Sequence, residues 1–386
     1  MKLWPVHNVT LADLLTHRSG LPAHDRIWSP PGERTRQQML HALRYLEPSR
    51  GLREAFQYSN LSYVVAGMVA ERISGQRWEA FVTERLFRPL GFEHFGFSVD
   101  ELESSADHAC PHPRDGQRIY RGHLWPMRAT PAGGVNASIT DMARWVRFLS
   151  SRGRCGAVNL VSEAAIDTMM SPSIHVGDTG FDETGQRYYG YGLMCEHYRG
   201  EPTVLHTGSQ PGWGALMSIM PARGIGIVVL TNRDPSPVRE MVTYSIYDRL
   251  CSLAPLDWLN VFTARRERAL VEETLEANKR KHDEKSSASA TEHESQYRFV
   301  GSYAHPAYGV IEIDKGETAI RWRWRGLSGK MVQSADDTFQ LKEDGDPRLS
   351  DLRIRFKWNA EGLVTGLSSP LEPAVSEIMF QRQPDH

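Results

Sequence analysis

Apolar positions in the first half of the chain recur at helical spacing. In YSNLSYVVAGMVAERISG, Leu61, Val64, Val65, Met68, Val69 and Ile73 fall at i, i+3, i+4 and i+7 intervals and so share one side of a helix. Ser59 or Asn60 supplies its N-cap and Gly75 its stop, which puts Tyr58 on the loop entering the helix. TLADLLTHRSGLP predicts a shorter helix, opened by a capping box of Thr10 and Asp13 and terminated by Gly20 and Pro22. SITDMARWVRFL repeats the pattern through Met142, Trp145, Val146 and Leu149, with Ser138 or Thr140 as cap.

The period changes after residue 186. YYGYGLMCEHY, TVLHTG, GALMSIMP and GIGIVVLTN are short β-type runs divided by Gly and Pro turns, which predicts consecutive antiparallel strands. An amphipathic segment from about Val238 to Leu250 closes this unit. Residues 263–295 are densely charged and then rich in Ser and Ala, the composition of a linker that is part helix and part disorder. From Tyr297 onward, YRFVGSYAHPAYGVIEID, TAIRWRWRG, TFQLKED, DLRIRFKWN and SEIMFQRQ alternate at period two and predict a separate all-β domain, a small barrel or meander. The expected domains are therefore 1–262, a linker over 263–295, and 296–386.

Composition changes this picture little. A chain of 386 residues suits two or three domains. A formal net charge of −2 leaves no electrostatic footprint for nucleic acid or an anionic membrane, so neither is expected as a partner. The four cysteines are far apart and form no CxxC, which argues for reduced thiols over a disulfide framework or zinc site. The amino terminus lacks the apolar stretch of a signal peptide, and no window approaches the about 20 apolar residues of a membrane span. As written, the chain is expected to be soluble and cytoplasmic, a location that an additional amino-terminal segment would reopen.

The candidate chemistry lies in two tripeptides. YSN supplies Tyr58 and Asn60, two residues apart at a helix entrance, so that both polar ends can face one cleft. HTG places His206, Thr207 and Gly208 on a β-type run just before the turn SQPGWG. Gly208 lets a substrate backbone approach, Thr207 can bond a carboxylate or carbonyl, and His206 can carry positive charge or a proton. Either tripeptide alone also fits a helix cap or an ordinary strand end. Other features have plainer readings. His108, Cys110 and His112 in HACPHP could share a metal, but a Pro-rich surface loop explains them better, since no fourth ligand is evident. In RWRWR, strand alternation sends Trp322 and Trp324 into the barrel and the arginines to water. His17 reads as a structural histidine bonding backbone near the cleft, and Ser59 and Ser62 as cap and helix residues rather than nucleophiles. No metal or cofactor is expected.

Taken in order, VTLADLLTHRSGLP, FQYSNLSYVVAGMVAERISGQ, LFRPLGFEHFGF, PAGGVNASITDMARWVRFL, YGYGLMCEHY, HTGSQPGWGALMSIMP and GIVVLTN resemble the serine β-lactamase and penicillin-binding protein family over roughly residues 8–258. The branch of class C β-lactamases, D-stereospecific peptidases and related esterases is the most similar. VGSYAHPAYGVIEI likewise resembles the lipocalin-like domain appended to many members. The resemblance implies an α/β (α+β) fold, an antiparallel sheet flanked by helices with a helical subdomain, followed by a small all-β barrel. It implies Tyr58 as general acid/base, and Asn60 as a hydrogen-bond partner of the active-site lysine and the substrate amide. His206 stands where KTG members have lysine, Thr207 helps bind a substrate carboxylate or carbonyl, and the backbone N–H of Ser209 forms half of an oxyanion hole. The implied partner is a small-molecule or peptide substrate, with homo-oligomerisation left open.

One departure is large. The family draws its nucleophile and partner lysine from Ser-x-x-Lys upstream of the LLTHRSG position, and no lysine of this sequence has Ser three residues before it. An isolated serine hydroxyl is a poor nucleophile without an adjacent base. The sequence is therefore expected to be an incomplete hydrolytic domain, leaving a sheet edge uncovered. Three explanations stay open here: a serine hydrolase or acyl transferase whose nucleophile segment is absent from this sequence, a complete chain using the cleft for other acid/base chemistry (cyclisation, elimination or carbon–carbon cleavage), and a non-catalytic binding protein.

Overall fold

The computed structural model describes residues 8–29, 34–115, 118–124, 129–284, 297–316, 319–335, 337–343 and 352–384. Contacts divide the chain into two compact units that do not follow chain order: Arg50–Arg266 joins the stretch ending at Gly20, whereas Leu21–Ser49 belongs with the chain from Glu267 onward.

In the first unit, TLADLL forms helix α1, Leu11–Leu15, with the expected capping box. It stops at Leu15, well before Gly20, because His17 turns the chain with a left-handed φ of 55°. Helix α2, Asn60–Ser74, has Ser59 as N-cap and ends on Gly75, whose φ of 70° favours glycine. Helix α3, Ile139–Ser150, is capped by Ser138, whose hydroxyl accepts from Asp141 N.

The β-type runs assemble, with one strand the sequence reading did not name (β1), into a six-stranded antiparallel sheet: β1 Ile174–Asp178, β2 Gln186–Tyr189, β3 Met194–Tyr198, β4 Glu201–Gln210, β5 Trp213–Met220 and β6 Ile225–Thr231, in sequential spatial order with β6 at one edge. Alternation along the strands gives the sheet two buried faces. Cys195, Val204 and Ile219 pack with Val146, Phe148 and Leu149 of α3. Tyr198, Met220 and Ile227 pack with Trp258 and with Tyr244 and Tyr247 of helix α4, Val238–Leu250. Gly226 permits this layering, since a Cβ there would stand 2.2 Å from Val146 Cγ1.

Part of HACPHP is not a loop. His112–Asp115 is a strand, parallel to Arg233–Asp234, because His112 N donates to Gly212 O and Asn232 O as the chain passes the β4–β5 hairpin. Among the described residues no group of three His, Cys, Asp or Glu is placed to hold a metal, and no helix is long and apolar enough to cross a membrane. Helix α5, Trp258–Glu284, begins before the expected linker and occupies most of it; residues 285–295 lie outside the described residues.

The second unit is a closed antiparallel barrel of eight strands: β7 Gly301–His305, β8 Gly309–Lys315, β9 Ile320–Trp324, β10 Leu327–Ala335, β11 Thr338–Glu343, β12 Arg353–Trp358, β13 Val364–Ser369 and β14 Ile378–Arg382. Tyr303, Ile311, Trp322, Phe339, Phe356 and Phe380 are among its buried residues. Strands β10 and β13 escaped the sequence reading, since LSGKMVQSA and VTGLSS carry small and polar residues that blur the alternation. Trp322 and Trp324 are buried as expected, and Arg323 is exposed. Arg325 is not turned to water: it is half-buried and donates to Arg26 O and Ile27 O.

Those carbonyls belong to Leu21–Ser49, which the barrel unit holds through His24. The fully buried His24 donates its backbone N–H to Glu372 Oε2 (2.6 Å), bonds Tyr308 Oη through Nδ1 (2.8 Å), and bonds Glu47 O through Nε2 (3.0 Å). The excursion is closed at its base, where Arg50 N donates to Gly20 O (3.3 Å). Only glycine suits position 20, with φ 84° and a would-be Cβ 2.4 Å from Arg50 O.

Candidate active site

Two pieces of the first unit converge on the site. The turn after α1 and the segment before α2 are laced together: Arg53 N donates to Arg18 O (2.7 Å), Gln57 N to His17 O (2.7 Å), and Ser59 N to His17 Nδ1 (3.1 Å). Beneath them Asp13, its side chain fully buried, accepts from Thr10, Arg18 and Arg53. Arg53 chiefly holds this carboxyl far below the usual carboxylate range, with Thr10 and Arg18 adding to the effect against burial. The lacing fixes Tyr58, whose ring centroid lies 4.3 Å from that of His17. Phe56, Tyr63 and Tyr189 complete an aromatic surround of His17 at 5.6, 5.1 and 4.8 Å. Tyr63 is anchored by donating to Leu15 O (2.7 Å).

Strand β4 supplies the opposite wall. It pairs with β5 from Val204 to Gln210, but β3 pairs only with Glu201–Leu205. From His206 onward the second edge of β4 therefore has no strand partner among the described residues. His206 faces Tyr58 with ring centroids 6.4 Å apart. Its Nδ1 bonds Thr207 O (2.7 Å), and its Nε2 lies 3.2 Å from Tyr189 Oη at the end of β2. Gly208 is exposed, and a Cβ on it would meet only Ala215 Cβ, at 3.6 Å, so the strand surface is open there. Buried Arg239 of α4 braces this end of β4, donating to Gly208 O (2.7 Å), Ser209 Oγ (3.2 Å) and Ala215 O (3.3 Å) and pairing with Asp234 (3.2 Å).

Burial lowers the pKa of His206, which favours a neutral imidazole over a lysine-like charge in the resting site. Burial chiefly, with the neighbouring His206 as a lesser cause, pushes His17 down to about 3. Burial drives the Tyr63 and Tyr189 phenols upward, so both stay protonated. His17 Nε2 and Ser59 Oγ are buried without a hydrogen-bond partner among the described residues.

Tyr58 and His206 thus lie near one another, with half-buried Asn60 opening α2 and Thr207, Gly208 and Ser209 following along β4. His17 bonds backbone, as read. Tyr189, Tyr63 and Arg239 were missed. The doubled aromatic of YYGYG just before a β run was the only signal for Tyr189, and nothing local marks Arg239.

Residues 2–249 match the family profile described as Beta-lactamase, and residues 285–382 match one described as a domain of unknown function, DUF3471. Unguisins hydrolase ungD' of Aspergillus campestris (strain IBT 28561) is 24% identical over 80% of this chain and 59% of its own length. The chain thus spans little more than half of that curated relative. Among solved structures, the octameric penicillin-binding protein homologue from Pyrococcus abyssi superposes with a TM-score of 0.57 at 21% identity, over 99% of this chain and 80% of the other. A D-stereospecific amidohydrolase from Streptomyces sp. superposes with a TM-score of 0.51 at 20% identity, over 64% of this chain and 73% of the other. These likenesses concern the fold.

Proposed function

Because the chain belongs to the Beta-lactamase family, we propose that its first unit serves acyl transfer, as a serine hydrolase or acyl transferase acting on an amide or ester of a peptide or small metabolite. The observation that carries this reading is the meeting of Tyr58 and His206 beside a strand whose second edge has no strand partner among the described residues. An extended substrate backbone can add to that edge as a further strand, where Gly208 offers no side chain to obstruct it. In this arrangement Tyr58 moves the proton of the nucleophile and leaving group, Asn60 and Thr207 bond the substrate amide or carbonyl, and Ser209 N–H faces the developing oxyanion. The name of the fungal relative, a hydrolase, supports the reaction class.

The nucleophile in this reading is a Ser-x-x-Lys upstream of Met1, because the sequence holds none and has no lysine between Lys2 and Lys279. The test is to map the amino terminus of the native protein by mass spectrometry and to treat that protein with a fluorophosphonate. An upstream Ser-x-x-Lys whose serine is labelled, with labelling slowed by about 10² or more in Tyr58→Phe, is the expected result. A native chain that begins at Met1 and takes no label overturns it. The same absence of lysine favours a second reading, in which Tyr58 and the neutral His206 move protons without an acyl-enzyme. Tyr58-dependent turnover in a protein that resists labelling would favour that one.

A further inference from the structure

Tyr189 was drawn into the site by the fold, and the hydrogen bonds around His206 define what it does there. The Thr207 carbonyl can only accept, so the His206 Nδ1 facing it at 2.7 Å carries a proton. A neutral ring with Nδ1 protonated keeps a lone pair on Nε2, the atom 3.2 Å from Tyr189 Oη. An unprotonated Nε2 can only accept, so in this pair the buried Tyr189 hydroxyl is the donor, while its oxygen also lies against Tyr63, which gives its own proton to Leu15 O. Tyr189 is in turn wedged among His17 (4.8 Å), Phe56 (5.3 Å) and Tyr58 (6.4 Å), which restricts its ring.

We propose that Tyr189 is a positioning residue that holds His206 in a single orientation and a single tautomer, the proton on Nδ1 and the lone pair on Nε2 capped by the Tyr189 hydroxyl. The inference deepens the acyl-transfer reading above, in which His206 lines the substrate edge of β4. It gives the histidine of HTG a different task from that of a lysine: a neutral, oriented imidazole whose Nε2 becomes available when an incoming group displaces the Tyr189 hydroxyl. The titratable groups facing His206 are Tyr189 from β2, Tyr58 from the segment before α2, and His17 from the turn after α1.

Imidazole ¹⁵N NMR of the whole chain tests this without substrate or nucleophile, with His206 assigned by the loss of its signals in His206→Gln. The expected result is an Nδ1–H, Nε2-unprotonated pattern at neutral pH. Tyr189→Phe removes a bond that favours the neutral ring, so it should raise the proton affinity of His206 about threefold to tenfold and mix its tautomers. A proton on Nε2 in the unaltered protein overturns the proposal, even if Tyr189→Phe proves too unstable to study. An unchanged tautomer and midpoint in a folded Tyr189→Phe overturns it as well. Because fluorophosphonate labelling is a separate readout, a failure here leaves the reaction class standing, and a failure there leaves the tautomer result intact.

Discussion

Asp13 shows how a residue far from any chemistry can govern the site. It caps α1, and its carboxylate gathers Arg18 and Arg53, which flank the bonds that hold His17 and Tyr58. Asp13→Asn should destabilise the protein by about 2 kcal/mol in urea unfolding, a figure discounted because both arginines are partly exposed. Its folded pKa is depressed, so its contribution is present above the unfolded value near 3.9 and is lost as pH falls below it. Two histidines, His17 buried and His305 half-buried, act at higher pH. His17 is held down to about 3 and His305 to about 4, so the unfolded chain binds more protons than the folded one below about pH 6.5. Stability should therefore decline from pH 6.5 toward pH 4, by about 2 kcal/mol at pH 5 for a fully buried ring such as His17. Denaturant melts at pH 7.5 and 5 check this, and His17→Gln should flatten the difference if it still folds.

At the scale of elements, β4 is the strand on which the candidate site depends, and its brace comes from a helix. Arg239 bonds two strand carbonyls and pairs with Asp234, whose own pKa is raised by burial. Arg239→Met keeps the bulk but strands those acceptors, and should cost about 3 kcal/mol. Hydrogen exchange should then quicken selectively at the end of the β4–β5 hairpin; uniform loss of protection would mean that Arg239 does not act on the strand. The helices and sheet strands were largely legible because their apolar periods and caps are local. The α1 stop at His17 and the strand at His112 were not, because each is fixed by hydrogen bonds to chain far away in sequence, and barrel strands β10 and β13 were not because small and polar residues blur their alternation.

For the molecule as a whole, the notable fact is the excursion. Leu21–Ser49 leaves the first unit between His17 and Tyr58 and is held by the barrel unit through His24, Tyr308 and Glu372. A barrel removed by truncation would therefore leave that excursion without its partners. His24→Ala should raise protease cleavage and hydrogen exchange within residues 21–49 while leaving the barrel strands protected. Equal loosening of both would show that the histidine serves the barrel itself and not the excursion.

The sequence by itself determined the family resemblance, helices α1 to α4, sheet strands β2 to β6 and most barrel strands, and it singled out Tyr58 and His206 as candidates, because hydrophobic period, caps and short motifs are written in neighbouring residues. Only the tertiary structure decided that Leu21–Ser49 belongs with the barrel, that Arg239 braces the HTG strand, that burial disfavours the charged form of His206, and that Tyr189 lies against its Nε2. Each of those depends on burial and on hydrogen-bond partners brought together by folding, and no local pattern of residues encodes either.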